Sequence, residues 1–188
     1  MKKIVFISAT ALLAVVPAHA TNLLSNSGFE TGALSPWSQD QDYGGAENWN
    51  VTNNDAHTGL FSATDVGNKH IVQSFSAVST ALISEVSVWI KNPEASINAI
   101  SLYYDDATVN EGLVFAPNGE WNQVNVTSWL QPGKNLVGFG VWGYSGGGSA
   151  EDRTFVDDAV VEAAVPEPVT LSVFGFGLAG ILAKRRRK

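Results

Sequence analysis

Three pairs of adjacent acids, Asp105-Asp106, Glu151-Asp152 and Asp157-Asp158, are the first residues in this sequence that invite a chemical reading. Hydrolysis of a glycosidic bond needs two carboxylates flanking it, one as acid and one as base or nucleophile. Neighbours on a strand point to opposite faces, so such a pair cannot flank one bond unless a bulge intervenes. Other catalytic groups are scarce. Between the two ends of the chain the histidines are His57 and His70, and there is neither a cysteine nor a Gly-x-Ser-x-Gly elbow. A glycan-active enzyme is therefore the least favoured reading.

Aromatic stacking is the second chemistry available. Rings on an outer sheet face give flat apolar platforms for pyranose rings, with nearby polar groups for the hydroxyls. Trp89, Tyr103 and Trp142 fit that description, and Gly138 and Gly140 would leave a gap beside them. In the competing reading, Trp89 and Trp142 pack under loops or cover the second sheet. Trp37, Trp49, Trp121 and Trp129 lie near strand ends or turns, where packing is the expected role.

Positioning these groups requires strands. Short β-branched and aromatic runs alternate with Gly, Asn, Asp and Pro turns, which predicts an all-β sandwich. The expected strands are 22–25, 48–53, 60–64, 70–76, 82–91, 97–104, 121–127, 135–143 and 153–162. Asn92-Pro93, Asn118-Gly119 and Pro132-Gly133 break between them. The composition of residues 145–149, Ser-Gly-Gly-Gly-Ser, predicts a flexible loop, and they lack the Gly-Lys-Ser/Thr ending of a phosphate-binding loop.

Period-two alternation assigns the faces. Val86, Val88 and Ile90 oppose Ser87, Trp89 and Lys91, and Ile100, Leu102 and Tyr104 oppose Ser101 and Tyr103. Val124 and Val126 alternate with Gln123 and Asn125, and Val137, Phe139 and Val141 oppose Leu136, Gly138, Gly140 and Trp142. The aliphatic sets make the core, which leaves Trp89, Tyr103 and Trp142 outside.

Both chain ends read differently. Met1-Lys2-Lys3, an apolar run from Ile4 to Val16, and Pro17-Ala18-His19-Ala20 have the build of a secretory signal peptide (residues 1–20), cut by signal peptidase after Ala20. At the far end, Val165-Pro166-Glu167-Pro168 precedes an uncharged stretch, 169–183, and the chain stops in Lys184-Arg185-Arg186-Arg187-Lys188. As a helix at ~1.5 Å per residue that stretch spans about 22 Å, short of the roughly 30 Å hydrocarbon core. Snorkelling Lys and Arg stems and local thinning would close the gap. The basic cluster stays on the cytoplasmic side, which puts residues 21–168 outside the inner membrane.

Residues 165–188, with Pro166-Glu167-Pro168, the apolar segment and Arg185, Arg186 and Arg187, resemble a PEP-CTERM sorting signal. The resemblance implies processing by an exosortase, a membrane protease/transpeptidase of exopolysaccharide-producing Gram-negative bacteria. It also implies transient inner-membrane anchoring, then the cell surface or extracellular matrix. The same kind of tail also takes a name from ice-binding proteins that carry it. That name describes the tail, and the domain lacks the flat Thr-x-Thr repeat that would support ice binding.

Removing both ends leaves residues 21–164, the size of one domain. It contains four Lys or Arg against seventeen Asp or Glu, a formal charge of −13, compared with −7 for the whole chain. A field of that sign repels nucleic acid and favours cations such as calcium. Without cysteine, this exported domain needs a real core, a metal, or both.

Four ordered pieces of residues 22–162 resemble a galactose-binding-like antiparallel jelly roll, the sandwich of several carbohydrate-binding module families. They are 22–30 (Asn-Leu-Leu-Ser-Asn-Ser-Gly-Phe-Glu, with Trp37 after it), 56–63 (Ala-His-Thr-Gly-Leu-Phe-Ser-Ala), 71–75 (Ile-Val-Gln-Ser-Phe) and 155–160 (Phe-Val-Asp-Asp-Ala-Val). The resemblance implies a structural Ca2+ where the first and last strands meet. Glu30, the backbone carbonyl around Gly59, and Asp157 are its candidate ligands. Calcium takes six to eight oxygens from carboxylates, carbonyls and water, which such a junction can supply. The alternative is that Glu30 and Asp157 are solvated turn acids.

The resulting expectation is an exported, non-catalytic, calcium-stabilised sandwich that binds extracellular polysaccharide. The alternative is a structural or adhesive matrix protein on the same scaffold without sugar specificity.

Overall fold

The computed structural model describes residues 19–40, 48–65, 68–92, 97–116, 119–144 and 153–165. The expected signal peptide, apart from its last two residues, and the tail from Pro166 onward lie outside them, as do the 145–149 loop and Glu151-Asp152. Among the described residues no helix is long and apolar enough to cross a membrane.

The strands run in chain order β1 (His19–Asn22), β2 (Ser38–Asp40), β3 (Asn50–Thr52), β4 (Ser62–Asp65), β5 (Asn68–Ser79) and β6 (Ile83–Lys91). They continue with β7 (Ile97–Tyr104), β8 (Val109–Phe115), β9 (Asn122–Asn125), β10 (Asn135–Tyr144) and β11 (Thr154–Val165). Two 3-10 turns, Thr80–Leu82 and Thr127–Trp129, complete the described regular structure. One sheet has the order β3-β4-β11-β6-β9, with β1 also pairing β11; the other has the order β2-β5-β10-β7-β8. This is the expected all-β sandwich of two antiparallel sheets, and residues Ala20–Ala164 form one compact unit.

The alternation that predicts the strands also builds the core. Val86, Val88 and Ile90 of β6 are fully buried, as are Ile100 and Leu102 of β7 and Phe139 and Val141 of β10. Trp37 and Trp49 are buried with them, in the packing role expected from sequence. Trp49 places its polar edge by donating Nε1–H to the Lys69 carbonyl at 2.8 Å. That bond removes most of the cost of burying an indole N–H.

The register departs from simple parity in β10. An irregularity between Leu136 and Gly138 shifts pairing with both β5 and β7, so Leu136 is buried and Val137 is only half-buried. A bulge inserts one residue, and every side chain before it changes face.

Strands β2 and β8 are absent from the sequence expectation. The first has only three residues. In β8 the burial pattern is inverted, with Val109, Leu113 and Phe115 exposed while Val114 is buried. Gly112 in its middle also weakens the strand signal. The first strand forms at His19–Asn22 instead of 22–25. Asn22 ties it to the closing strand, donating Nδ2–H to the Ala159 carbonyl (2.9 Å) and accepting from Val161 N–H (3.0 Å).

Candidate functional site

The outer face of the β2-β5-β10-β7-β8 sheet gathers polar and aromatic side chains from four strands. Cross-strand register fixes its rows. Trp142 of β10 lies between His70 of β5 and Ala99 of β7. Gly140 lies between Val72 and Ser101, and Ser101 pairs in turn with Glu111 of β8. Gly138 lies between Ser74 and Tyr103, which pairs with Val109.

Glycine matters here for space. A β-carbon on Gly140 would come within 3.2 Å of Tyr103 Cε2, and one on Gly138 within 3.4 Å of Tyr103 Cβ. The expected gap beside the rings is therefore filled by Tyr103 itself, which lies over the β10 backbone.

Polar groups meet at the centre of the face. Ser101 Oγ–H donates to Glu111 Oε2 at 2.6 Å, and His70 Nε2 lies 3.3 Å from the same oxygen. The rings of His70 and Trp142 are 6.1 Å apart and tilted by 48°. Ser101 and Ala99 are fully buried floor, whereas Tyr103 and Trp142 are half-buried. Two of the expected ligand residues, Tyr103 and Trp142, thus share this face.

Trp89 does not join them. It projects from β6 in the opposite sheet, where it pairs across to Asp157 and Gln123. His57 stacks on it, with centroids 3.7 Å apart and planes 15° from parallel. Asp55 anchors the same loop, accepting from Trp121 Nε1–H at 3.1 Å and pairing with Lys91 at 2.8 Å. Strand parity correctly places Trp89 on the outer side, but of a different sheet, and the loop of 53–61 covers it. Parity within one strand carries no information about which sheet that strand joins.

A second cluster forms where the opening and closing segments of the domain, 26–30 and 155–160, meet beside residues 57–61. The Ser27 carbonyl accepts from Ala159 N–H at 3.0 Å. Glu30, from the opening segment, accepts from Leu60 N–H (3.0 and 3.1 Å) and Phe61 N–H (3.0 Å). Its carboxyl group packs directly against Gly59, whose φ is +66°. Asp157 is fully buried: Oδ2 accepts from His57 N–H (2.8 Å) and Thr58 N–H (3.2 Å), and Oδ1 from Asp158 N–H (2.8 Å).

A break in the β11–β6 register between Asp157 and Val160, with Asp158 at φ +43°, turns Asp158 toward the same loop. Asp158 Oδ2 lies 2.7 Å from His57 Nδ1 and also accepts from Thr58 Oγ–H at 2.8 Å. The expectation that adjacent strand acids diverge therefore fails at this pair, because the bulge intervenes. Asp105-Asp106 escapes it as well, lying in a turn where Asp106 is held by Thr108 and Lys134. Those contacts lower the Asp106 pKa to about 2.

Burial raises the Asp157 pKa to about 6, and the neighbouring Asp158 carboxylate adds to the rise, against the three N–H groups that favour the anion. Gly28 borders all three acids. A β-carbon there would lie 3.1 Å from Asp158 Oδ1, 3.5 Å from Asp157 Oδ1 and 3.9 Å from Glu30 Cγ. Among the described residues no three His, Asp or Glu side chains close on one point as metal ligands. A cation here would need backbone carbonyl oxygens, such as that of Gly59, to complete its shell.

Sequence reasoning misses His70, Ser101 and Glu111 on the first face, and His57, Thr58 and Asp158 at the junction. The first three are brought together by cross-strand register, and Glu111 lies on the unrecognised β8. His57 and Asp158 sit inside segments already quoted as landmarks, so their proximity to Gly59 and Asp157 is the available signal. Of the expected processing residues, Ala20 is exposed in β1, and Pro166, Glu167, Pro168 and Arg185–Arg187 fall outside the described residues.

Residues 164–188 match the family model of the PEP-CTERM protein-sorting motif. No curated protein matches the chain in sequence. Among solved structures, TmCBM61 in complex with β-1,4-galactotriose is 20% identical with a TM-score of 0.57, over 77% of this chain and 99% of that one. The family 16 carbohydrate-binding module-2 is 17% identical with a TM-score of 0.52, over 76% and 99%. A cyclase from Fischerella sp. TAU is 14% identical with a TM-score of 0.53, over 80% and 100%. At these identities the likeness is one of fold. The chain carries a PEP-CTERM protein-sorting motif at residues 164–188, and its domain has the galactose-binding-like β-sandwich fold found in carbohydrate-binding modules.

Proposed function

We propose that this is an exported, non-catalytic glycan-binding protein, held at the cell surface or in an exopolysaccharide matrix. The observation that carries this reading is the sheet face on which Tyr103 covers Gly138 and Gly140, flanked by Trp142 and His70 on one side and Ser101 and Glu111 on the other. Half-buried rings beside fixed polar groups suit sugar rings and their hydroxyls. The fold likeness to modules whose names state carbohydrate binding supports the same reading.

The absence of catalysis is part of the proposal. Asp157 is fully buried, so the Asp157-Asp158 pair cannot flank a substrate bond as it stands. The sorting motif supports export, transient anchoring of residues 169–183 in the inner membrane of a Gram-negative cell, and processing by signal peptidase and an exosortase.

A structural Ca2+ at Glu30, the Gly59 carbonyl and Asp157 belongs to this reading. Its support is a fully buried carboxylate with a raised pKa next to a second acid, a cost that a hard cation with oxygen ligands would remove. The ion would crosslink the opening and closing segments and do no chemistry on a substrate.

Affinity electrophoresis of the purified chain in gels containing neutral and acidic polysaccharides tests the function. Retardation by at least one polysaccharide, lost in Tyr103→Ala and Trp142→Ala but kept in Trp89→Ala, is the expected result. Uniform migration in every gel would leave the structural or adhesive alternative standing.

A further inference from the structure

We infer that the Tyr103–Trp142 face selects neutral glycans and rejects chains bearing carboxylate, sulfate or phosphate groups; this rests on the glycan-binding reading above. Three observations lead to it.

A charge fixed on this face by described contacts is a carboxylate. Glu111, on the edge strand β8, is fixed by Ser101 Oγ–H at 2.6 Å and lies 3.3 Å from His70 Nε2, and its side chain is 40% exposed. His70, the histidine on this face, has Nε2 3.3 Å from that carboxylate, so even a protonated His70 would leave the pair neutral at best.

Three of the four cations that could read anionic sugars are engaged by other partners. Lys69 points inward and donates to Asn48 Oδ1 at 2.6 Å, and Lys91 pairs with Asp55 beneath the loop on the opposite sheet. Lys134 pairs with Asp106 at 2.9 Å, and Arg153 leads into β11 of the opposite sheet. These four are all the lysines and arginines of residues 21–164. Recognition of carboxylate or phosphate ordinarily uses Arg or Lys as direct donors.

The remaining surface of β8 is apolar. Val109, Leu113 and Phe115 flank Glu111 on the same outer row and are 49%, 57% and 71% exposed. Such a shelf suits the C–H faces of uncharged sugar rings, and it would desolvate an anionic substituent without compensating it. The formal charge of −13 over residues 21–164 adds a long-range field of the same sign.

The test compares chemically matched ligands in titrations of the purified chain. β-1,4-Galactan and xylan are each used as the neutral parent, as a carboxymethyl derivative, and as the methyl ester of that derivative, which keeps the bulk and removes the charge. Whichever parent binds, the ester should bind comparably and the free carboxylate about tenfold more weakly at low salt, the size of a like-charge contact near the surface. Added salt should narrow the difference, and Glu111→Gln should narrow it at constant salt while the thermal melt stays cooperative. A carboxymethyl form that binds as tightly as its ester would overturn the selectivity and leave glycan binding intact. Failure of both parents and both esters to bind would overturn the glycan reading itself, and this inference with it. Because the wild-type comparison stands alone, a misfolded Glu111 variant would not rescue the idea.

Discussion

The carboxyl group of Glu30 occupies the space beside Gly59 that a β-carbon would need, and it caps the N–H groups of Leu60 and Phe61. Glycine is required there twice over, because its φ of +66° is also one that L side chains rarely adopt. Gly59→Ala should destabilise the domain by roughly 2–4 kcal/mol, combining backbone strain with displacement of a hydrogen-bonded carboxylate. Urea unfolding checks it, with Gly133→Ala as reference. Gly133 has a similar φ of +79° and open space around it, so strain acts alone there and the loss should be smaller.

The same junction makes the metal testable. Calcium added to the chelated protein should raise its melting temperature, and EDTA should lower that of the calcium-loaded form, as expected for any ligand that binds only the folded state. Glu30→Ala should abolish the increment. Equal melting curves with calcium and with EDTA would remove calcium from the account and leave the fold unaffected.

Asp157 gives the chelated protein a distinctive pH dependence. Its folded pKa, about 6, lies above the unfolded value near 3.8. Between those values the folded state holds the proton that the unfolded state has lost, so this group's contribution makes stability fall as pH rises through the window. The size is on the order of 3 kcal/mol. Asp106 acts oppositely and lower down, stabilising above its unfolded pKa and losing that contribution as pH falls toward 2. Denaturation at stepped pH in EDTA should show the downward slope between pH 4 and 6. Asp157→Ala should flatten it while lowering stability throughout, since three N–H groups lose their acceptor.

The legible part of this molecule was whatever follows from alternation and local motif. Val86, Val88 and Ile90 against Ser87 and Trp89 is a fact of one strand, and it predicts burial without knowledge of any partner. Glu30, Gly59 and Asp157 also lie close together, and the sequence pieces that carry them resemble landmarks of one fold. What failed needed register or sheet membership. Trp89 and Tyr103 share a parity but belong to different sheets, and Leu136 changes face through a bulge that leaves no mark in composition. Glu111 escaped notice because β8 turns its apolar residues outward, against the pattern by which strands are found.

Trp89 should behave as a structural residue. Its stack with His57 helps hold the 53–61 loop over the outer face of the β3-β4-β11-β6-β9 sheet, and that loop supplies two of the three N–H donors for Asp157. Trp89→Ala should cost about 1–3 kcal/mol, below the range for a fully buried aromatic because Trp89 is half-buried, with polysaccharide affinity per folded molecule unchanged. Chemical denaturation together with a binding titration separates the two effects.

Gly140 offers the cleanest probe of the ring platform, because it touches the platform without being part of it. No positive φ is needed at this position, so alanine brings little backbone strain, but its β-carbon would sit 3.2 Å from Tyr103 Cε2, the Ile71 carbonyl oxygen and Val72 Cγ2. The carbonyl belongs to the sheet ladder and cannot retreat, so the tyrosine ring must lift away from the β10 backbone. Gly140→Ala should therefore cost only about 1 kcal/mol in stability yet reduce polysaccharide affinity about tenfold, because a stacking surface misplaced by a fraction of an ångström loses much of its contact. Tyr103→Ala in the same background should add little further loss, since the two changes damage one surface. If Gly140→Ala bound with wild-type affinity while Tyr103→Ala did not, the ring would matter but its seat on the glycines would not.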